Sequence, residues 1–252
     1  MGRFATIATV CLAATTTISA FPSPSLKNRQ DDCSAVHIFI AKGWNETYPG
    51  RQGKLTGAIC YGLDSCSYED VLFSNTPEDD YCGSVTEGAI NGVAQITAYA
   101  ERCPQSQLVV SGYSQGANVA GDILGGGGGP FGTPPLNCSV GYTDGLDPTT
   151  SPGNQIGAVL LFGDNRHVAN QSYNVLSGAS AAAENPRPQP QLERLNAFAS
   201  VMRSYCDIAD PVCAAEGGSD PDVETHLNYF DLYSDDAAGW VKWILENPPS
   251  TE

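Results

Sequence analysis

The chain has 252 residues, 12 Lys and Arg against 28 Asp and Glu, and a formal net charge of −16. A surface this acidic repels nucleic acid and anionic membrane alike, so neither is expected as a partner. The length suits one α/β domain with a sizeable buried core.

Residues 1–20 have the pattern of a secretory signal: Arg3 gives the positive start, Phe4 to Ile18 is apolar or small, and Ile18-Ser19-Ala20 offers a cleavage position. A polar, proline-bearing lead-in or pro-segment follows over 21–32, and residues 33–248 form the expected domain. No later stretch approaches twenty apolar residues, so a secreted, extracellular protein without a membrane anchor is predicted. The cysteines agree with that compartment. Cys11 falls in the signal, and the other eight (Cys33, Cys60, Cys66, Cys82, Cys103, Cys138, Cys206, Cys213) form an even set that predicts four disulfides. With no Cys-x-x-Cys pair and with His37, His167 and His226 widely scattered, no metal site is expected. Sequons at Asn45, Asn137 and Asn170 fit a secreted glycoprotein. The acidic clusters at 78–80 and 220–222 read as solvated loops, since neither has the alternating ligands of a calcium loop.

In chain order, Ala35 to Ala41 is a short apolar run rich in branched side chains, as a strand buried on both faces requires. Leu55, Ile59 and Leu63 recur at helical spacing, and Val71 to Phe73 predicts a second strand. Ser84 to Ala100 predicts a helix opened by a Ser84–Glu87 capping box, with Val85, Ala89, Val93, Ile96 and Ala100 as its apolar stripe. A strand over 107–112 and a helix over 115–124 follow, and the glycines at 125–129 begin a long loop. Further on come a strand over 156–162, a short helix over 192–198, a last strand over 200–205 and a closing helix over 236–246, with Trp240, Val241, Ile244 and Leu245 inward. Strands alternating with helices predict a three-layer α/β fold with a mostly parallel central sheet flanked by helices, and the serine elbow that the third strand leads into makes it the compact α/β-hydrolase kind.

The candidate chemistry sits where the third strand meets its helix. Gly112-Tyr113-Ser114-Gln115-Gly116 is a nucleophile elbow: small residues two before and two after the serine let strand and helix pass closely while the hydroxyl projects. A serine hydroxyl needs a base to take its proton, and the base needs an acid to hold its tautomer. In this fold the order is serine, acid, histidine. His226 follows the last strand, where a loop above the sheet carries the base; His167 reads as a loop histidine. The acid lies between Cys206 and Cys213, with Asp210 preferred and Asp207 as its rival.

With these residues in order, the chain resembles the fungal cutinase and acetylxylan esterase family of serine esterases, carbohydrate esterase family 5, over about residues 33–245. Cys103-Pro104 ahead of the Gly-Tyr-Ser-Gln-Gly elbow, the cysteine-bounded acid loop, and His226-Leu227-x-Tyr229 are each similar to a segment of that family. The resemblance implies a Ser114, Asp210, His226 triad, no cofactor, and disulfides Cys33–Cys103 and Cys206–Cys213; Cys60–Cys66 and Cys82–Cys138 complete the expected set. It also implies an oxyanion hole with one donor from the Gln115 backbone and the second from the loop after the first strand. Trp44 stands there where members commonly carry a hydroxyl residue, which leaves its backbone N–H, or the Asn45 side chain, as the donor. Losing a donor costs on the order of 3 kcal/mol, so a slow or redirected esterase is expected.

The stretch 214–225 between acid and base is acidic and polar, which suits a small acyl group on a hydrated polysaccharide such as acetylated xylan. Trp44, as an apolar wall or a face for a sugar, keeps a cutin-like polyester as the second reading. The third is a binding or elicitor-like protein on the same scaffold, its altered oxyanion loop marking lost catalysis. No hydrophobic lid segment supports an interfacially activated lipase. A monomer is expected.

Overall fold

A computed structural model of the protein describes residues 1–2, 33–132, 137–215 and 220–249. The expected signal, from residue 3 on, and the lead-in over 21–32 lie outside the described residues. Among the described residues there are eight strands and six α-helices. The strands are β1 (Val36–Ala41), β2 (Cys66–Asp70), β3 (Gln107–Tyr113), β4 (Gly129–Phe131), β5 (Cys138–Val140), β6 (Ile156–Phe162), β7 (Asn174–Val175) and β8 (Met202–Tyr205). The α-helices are α1 (Gly53–Cys60), α2 (Tyr81–Arg102), α3 (Gln115–Gly125), α4 (Gln189–Asn196), α5 (Val223–Leu227) and α6 (Tyr229–Glu246).

Six strands form one sheet in the order β2-β1-β3-β6-β8-β7, and every pairing in it is parallel. All six β1 residues are buried, so its sequence shows a mostly apolar run, interrupted only by His37, rather than alternation. The pleat still sorts them. Phe39, Val110, Val159 and Leu161 face α2 and α3, packing on Val85, Ile96, Val119 and Ile123. Ile38, Ile40, Val109 and Leu160 face the opposite way, onto Leu55 and Ile59 of α1 and Val241 and Ile244 of α6. The result is the predicted three-layer α/β-hydrolase architecture.

The elements at the margins depart from expectation. The second strand is the polar run Cys66–Asp70, because it lies at the sheet edge and is nowhere fully buried. Val71 and Phe73 lie just past it, their side chains buried in the α2 core while Leu72 is exposed. The capping box is corrected as well. Helix α2 starts three residues earlier, capped by Asp80, whose carboxylate accepts from Gly83 N at 2.7 Å; Glu87 instead accepts from Ser74 N at 3.0 Å. Part of the expected glycine-led loop is a two-stranded antiparallel hairpin of β4 and β5. Helix α6 begins at Tyr229, with Tyr229 and Phe230 buried in the core.

Four disulfides join the eight cysteines as expected: Cys33–Cys103, Cys60–Cys66, Cys82–Cys138 and Cys206–Cys213. Two of them hold elements beside the site. Cys82–Cys138 clasps the hairpin to the start of α2, and Cys206–Cys213 closes the loop after β8.

Candidate active site

Ser114 stands between the end of β3 and the start of α3 with φ 55° and ψ −120°, a backbone that a non-glycine residue adopts only under constraint. Its N–H donates to Phe162 O at 2.9 Å, tying the turn to β6. The flanking glycines are required by close approach: a Cβ on Gly112 would overlap the Gly116 carbonyl, and one on Gly116 would overlap the Ala41 carbonyl of β1. The elbow therefore presses α3 against the end of β1, where the loop carrying Trp44 begins.

His226 reaches the serine from α5, a short helix rather than the expected loop, whose first turn is capped by Asp222. Its Nε2 lies 3.0 Å from Ser114 Oγ and its Nδ1 lies 2.9 Å from Asp210 Oδ2. With a carboxylate at Nδ1, the neutral imidazole carries its proton there and Nε2 accepts from the serine hydroxyl. The ring fits because Gly163, at φ +54°, has no side chain; a Cβ there would come within 2.7 Å of the imidazole. Tyr113 OH donates to the His226 carbonyl at 3.0 Å.

Asp210 is fully buried. Its Oδ1 accepts from Val212 N at 2.8 Å, and its Oδ2 accepts from both His226 and the Tyr229 hydroxyl, the latter at 2.8 Å. The rival Asp207 instead accepts from Ala209 N at 3.0 Å in a turn of the same loop. His167 is buried away from the serine, with Nδ1 3.2 Å from Ser204 Oγ, and burial lowers its pKa. His37, on β1, lies 2.7 Å from Ser67 Oγ and stacks on Tyr99.

Of the two expected oxyanion donors, the Gln115 and Trp44 amides have no partner among the described residues, and both residues line the same cleft as Ser114. Asn45 does not line it; its N–H donates to Asn75 O at 2.6 Å. Asn75, which no motif or spacing marks out, also donates through Nδ2 to Gly43 O at 2.7 Å and Glu46 O at 2.9 Å. One buried asparagine thus bridges both sides of the loop that carries Trp44. Tyr229 was likewise visible only as part of a resembling segment, with no role attached.

The cleft has a volume of about 670 Å³ and includes Trp44, Ser114, Gln115, Tyr81, Phe131 and Asn165 in its walls. Residues 216–219 of the stretch expected to form its rim lie outside the described residues, and of the described remainder, 214–215 and 220–225, none lines it. Behind the floor, Arg187 forms a buried ion pair with Asp122 of α3.

A family model described as "Cutinase" matches residues 32–245. The chain belongs to the cutinase family. An acetylxylan esterase of Hypocrea jecorina is 29% identical over 223 residues, covering 85% of this chain and 68% of that protein. Acetylxylan esterase 2 of Talaromyces purpureogenus is 27% identical, covering 83% of this chain and 86% of its own length; cutinase 11 of Verticillium dahliae is 28% identical, covering 91% and 76%. The solved catalytic core domain of acetyl xylan esterase from Trichoderma reesei superposes with a TM-score of 0.68 at 26% identity, covering 84% of this chain and 99% of that one. Like these cutinase-family relatives, the chain is a carboxylic ester hydrolase.

Proposed function

We propose that this member of the cutinase family is a secreted serine esterase that removes short acyl groups, acetyl foremost, from plant cell-wall polysaccharide such as acetylated xylan. The observation that carries the mechanism is the run of contacts from Ser114 Oγ to His226 Nε2 at 3.0 Å and from His226 Nδ1 to Asp210 Oδ2 at 2.9 Å, at the tip of a constrained elbow. As Ser114 Oγ bonds to the ester carbonyl carbon, His226 Nε2 takes the hydroxyl proton and Asp210 stabilises the imidazolium. The Gln115 and Trp44 amides face the oxyanion. His226 then passes the proton to the departing alkoxide, leaving an acyl-enzyme. Water, deprotonated by the same nitrogen, releases the acid and restores Ser114. The polysaccharide reading draws on the two acetylxylan esterases among the relatives and on the carboxylates Asp79, Asp80 and Glu184 in the cleft walls.

Ser114→Ala should lower kcat on 4-nitrophenyl acetate by on the order of 10⁴-fold or more, and a fluorophosphonate should label the wild type at Ser114 alone. Full activity in that variant, or an unlabelled wild type, overturns the reading. The aromatic walls Trp44, Tyr81 and Phe131 favour a second reading, a cutin-like polyester. Faster release from polyester than from acetylated xylan would establish it.

A further inference from the structure

The cleft is far larger than an acetyl group, so most of it must receive the rest of the ester. One wall is built with unusual rigidity. Tyr81 and Phe131 stack with ring centroids 4.8 Å apart and planes 9° from parallel. Tyr81 precedes Cys82, and Phe131 pairs in register with Cys138, so the disulfide between those two cysteines clamps the stack from behind. Asn165 donates to the Tyr81 hydroxyl, and Gly132 N donates to Asn185 Oδ1 at 3.1 Å, fixing the same wall at two further points. Beside it, Gln115 is 1% exposed, lines the cleft, and leaves both amide atoms without a partner among the described residues.

The charged side chains that line the cleft have one sign, although the buried Arg166 guanidinium lies 5.8 Å from the Phe131 ring centroid and does not line it. Asp79, Asp80 and Glu184 line the cleft, and no lysine or arginine does so among the described residues. Asp79 and Asp80 each use one carboxylate oxygen internally, toward Thr76 and Gly83, which holds the groups in place as acceptors. An aromatic face bordered by fixed acceptors suits a ring with an apolar face and hydroxyl edges, while the same carboxylates repel any ligand of negative charge.

We propose that Tyr81, Phe131, Asp79, Asp80 and Glu184 form the subsite for the leaving alcohol, and that this subsite takes an uncharged polyhydroxylated ring and rejects anionic esters. It rests on the reading of Ser114 as the nucleophile of this cleft. Three carboxylates at about 8 Å, acting through water-like screening, amount to roughly a tenfold penalty on a monoanion. The penalty vanishes with salt, because the Debye length shrinks from about 30 Å at 0.01 M to about 3 Å at 1 M.

The test compares kcat/KM on methyl 4-acetoxybenzoate with that on the 4-acetoxybenzoate anion, and adds an acetylated xylo-oligosaccharide. The wild type should prefer the neutral aryl ester by roughly tenfold at low salt and lose that preference at high salt. Glu184→Gln should reduce the preference at low salt. Phe131→Leu, which keeps apolar bulk in the wall, should lower the oligosaccharide rate relative to the neutral aryl ester by about tenfold. Equal rates on the two aryl esters at all salt concentrations, or an unchanged oligosaccharide ratio in Phe131→Leu, overturns the subsite. Hydrolysis of methyl 4-acetoxybenzoate by Ser114→Ala at the wild-type rate instead overturns the nucleophile reading beneath it.

Discussion

The Tyr229 hydroxyl donates to Asp210 Oδ2 at 2.8 Å, the same oxygen that faces His226 Nδ1. Tyr229 is itself fully buried, and its hydroxyl accepts from Asp207 N at 3.0 Å, so one phenol braces the acid loop at two points. Burial, and then the Asp210 charge, raise its pKa far above the ordinary tyrosine value, which keeps it a donor at any working pH.

Removing that donor in Tyr229→Phe should leave the Asp210 carboxylate less firmly held against His226. A hydrogen bond to a charged group contributes about 1.5–3 kcal/mol, so kcat on 4-nitrophenyl acetate should fall by on the order of tenfold with little change in KM. A purely packing role for Tyr229 would lower the melting temperature without lowering the kcat of the folded fraction.

Asn75 offers a second test, on the opposite side of the serine. In Asn75→Ala the Gly43 and Glu46 carbonyls lose their shared donor, and the Trp44 amide loses its fixed position. Because an oxyanion donor contributes up to about 3 kcal/mol, a loss of roughly tenfold to a hundredfold in kcat is expected. Glutamine at the same position, one methylene longer, should not restore the rate. Stopped activity assays on the purified variants, normalised to the fraction that is folded, provide the measurement.

The parts of the molecule legible in the sequence are those whose environment dictates residue type. Strands β1, β3 and β6 are buried on both faces over most of their length and so are dominated by apolar residues. The elbow glycines announce themselves because the Ala41 and Gly116 carbonyls leave no room for a side chain. Edge strand β2 escaped notice because half-exposure permits the polar run Cys66–Asp70, and β7 because two residues carry no period. Asp79, Asp80 and Glu184 meet at one cleft only through tertiary packing, whereas the acidic stretch next to His226 drew attention by proximity in the chain alone. The bracing roles of Asn75 and Tyr229 depend on single hydrogen bonds across the fold, which leave no periodic or motif-level trace.

His167 predicts how stability responds to acid. The imidazole is 2% exposed, and burial lowers its pKa from 6.5 despite the opposing pull of Asp164. Asn174 Nδ2, which donates to Val168 O and Ala179 O at 2.9 Å each, also faces His167 Nε2 at 3.3 Å, so a second ring proton would meet a donor. Below pH 6.5 the unfolded chain therefore binds a proton that the folded chain resists, and stability falls with pH until the folded value is passed. Denaturant midpoints measured from pH 7 to pH 5 should decline, and His167→Gln should flatten that part of the curve.

The buried pair behind the elbow helix gives the largest expected effect on folding. Arg187 and Asp122 have side chains 0% and 2% exposed, and Arg187 also donates to Gly126 O at 3.4 Å beyond the end of α3. Burial raises the Asp122 pKa, and the Arg187 and Arg166 charges oppose that rise. Arg187→Met removes the main opposition and strands the carboxylate, which should cost about 3–5 kcal/mol and lower the melting temperature by roughly 10 °C. The deficit should grow with pH, because at high pH the unpaired Asp122 must be buried as an anion while at low pH it takes up a proton and is buried neutral. Adding Asp122→Asn to the same background removes the stranded charge and should recover part of the loss. A double variant no more stable than Arg187→Met alone, with a deficit independent of pH, would mean that Arg187 supports the fold through its carbonyl contacts and packing rather than through its charge.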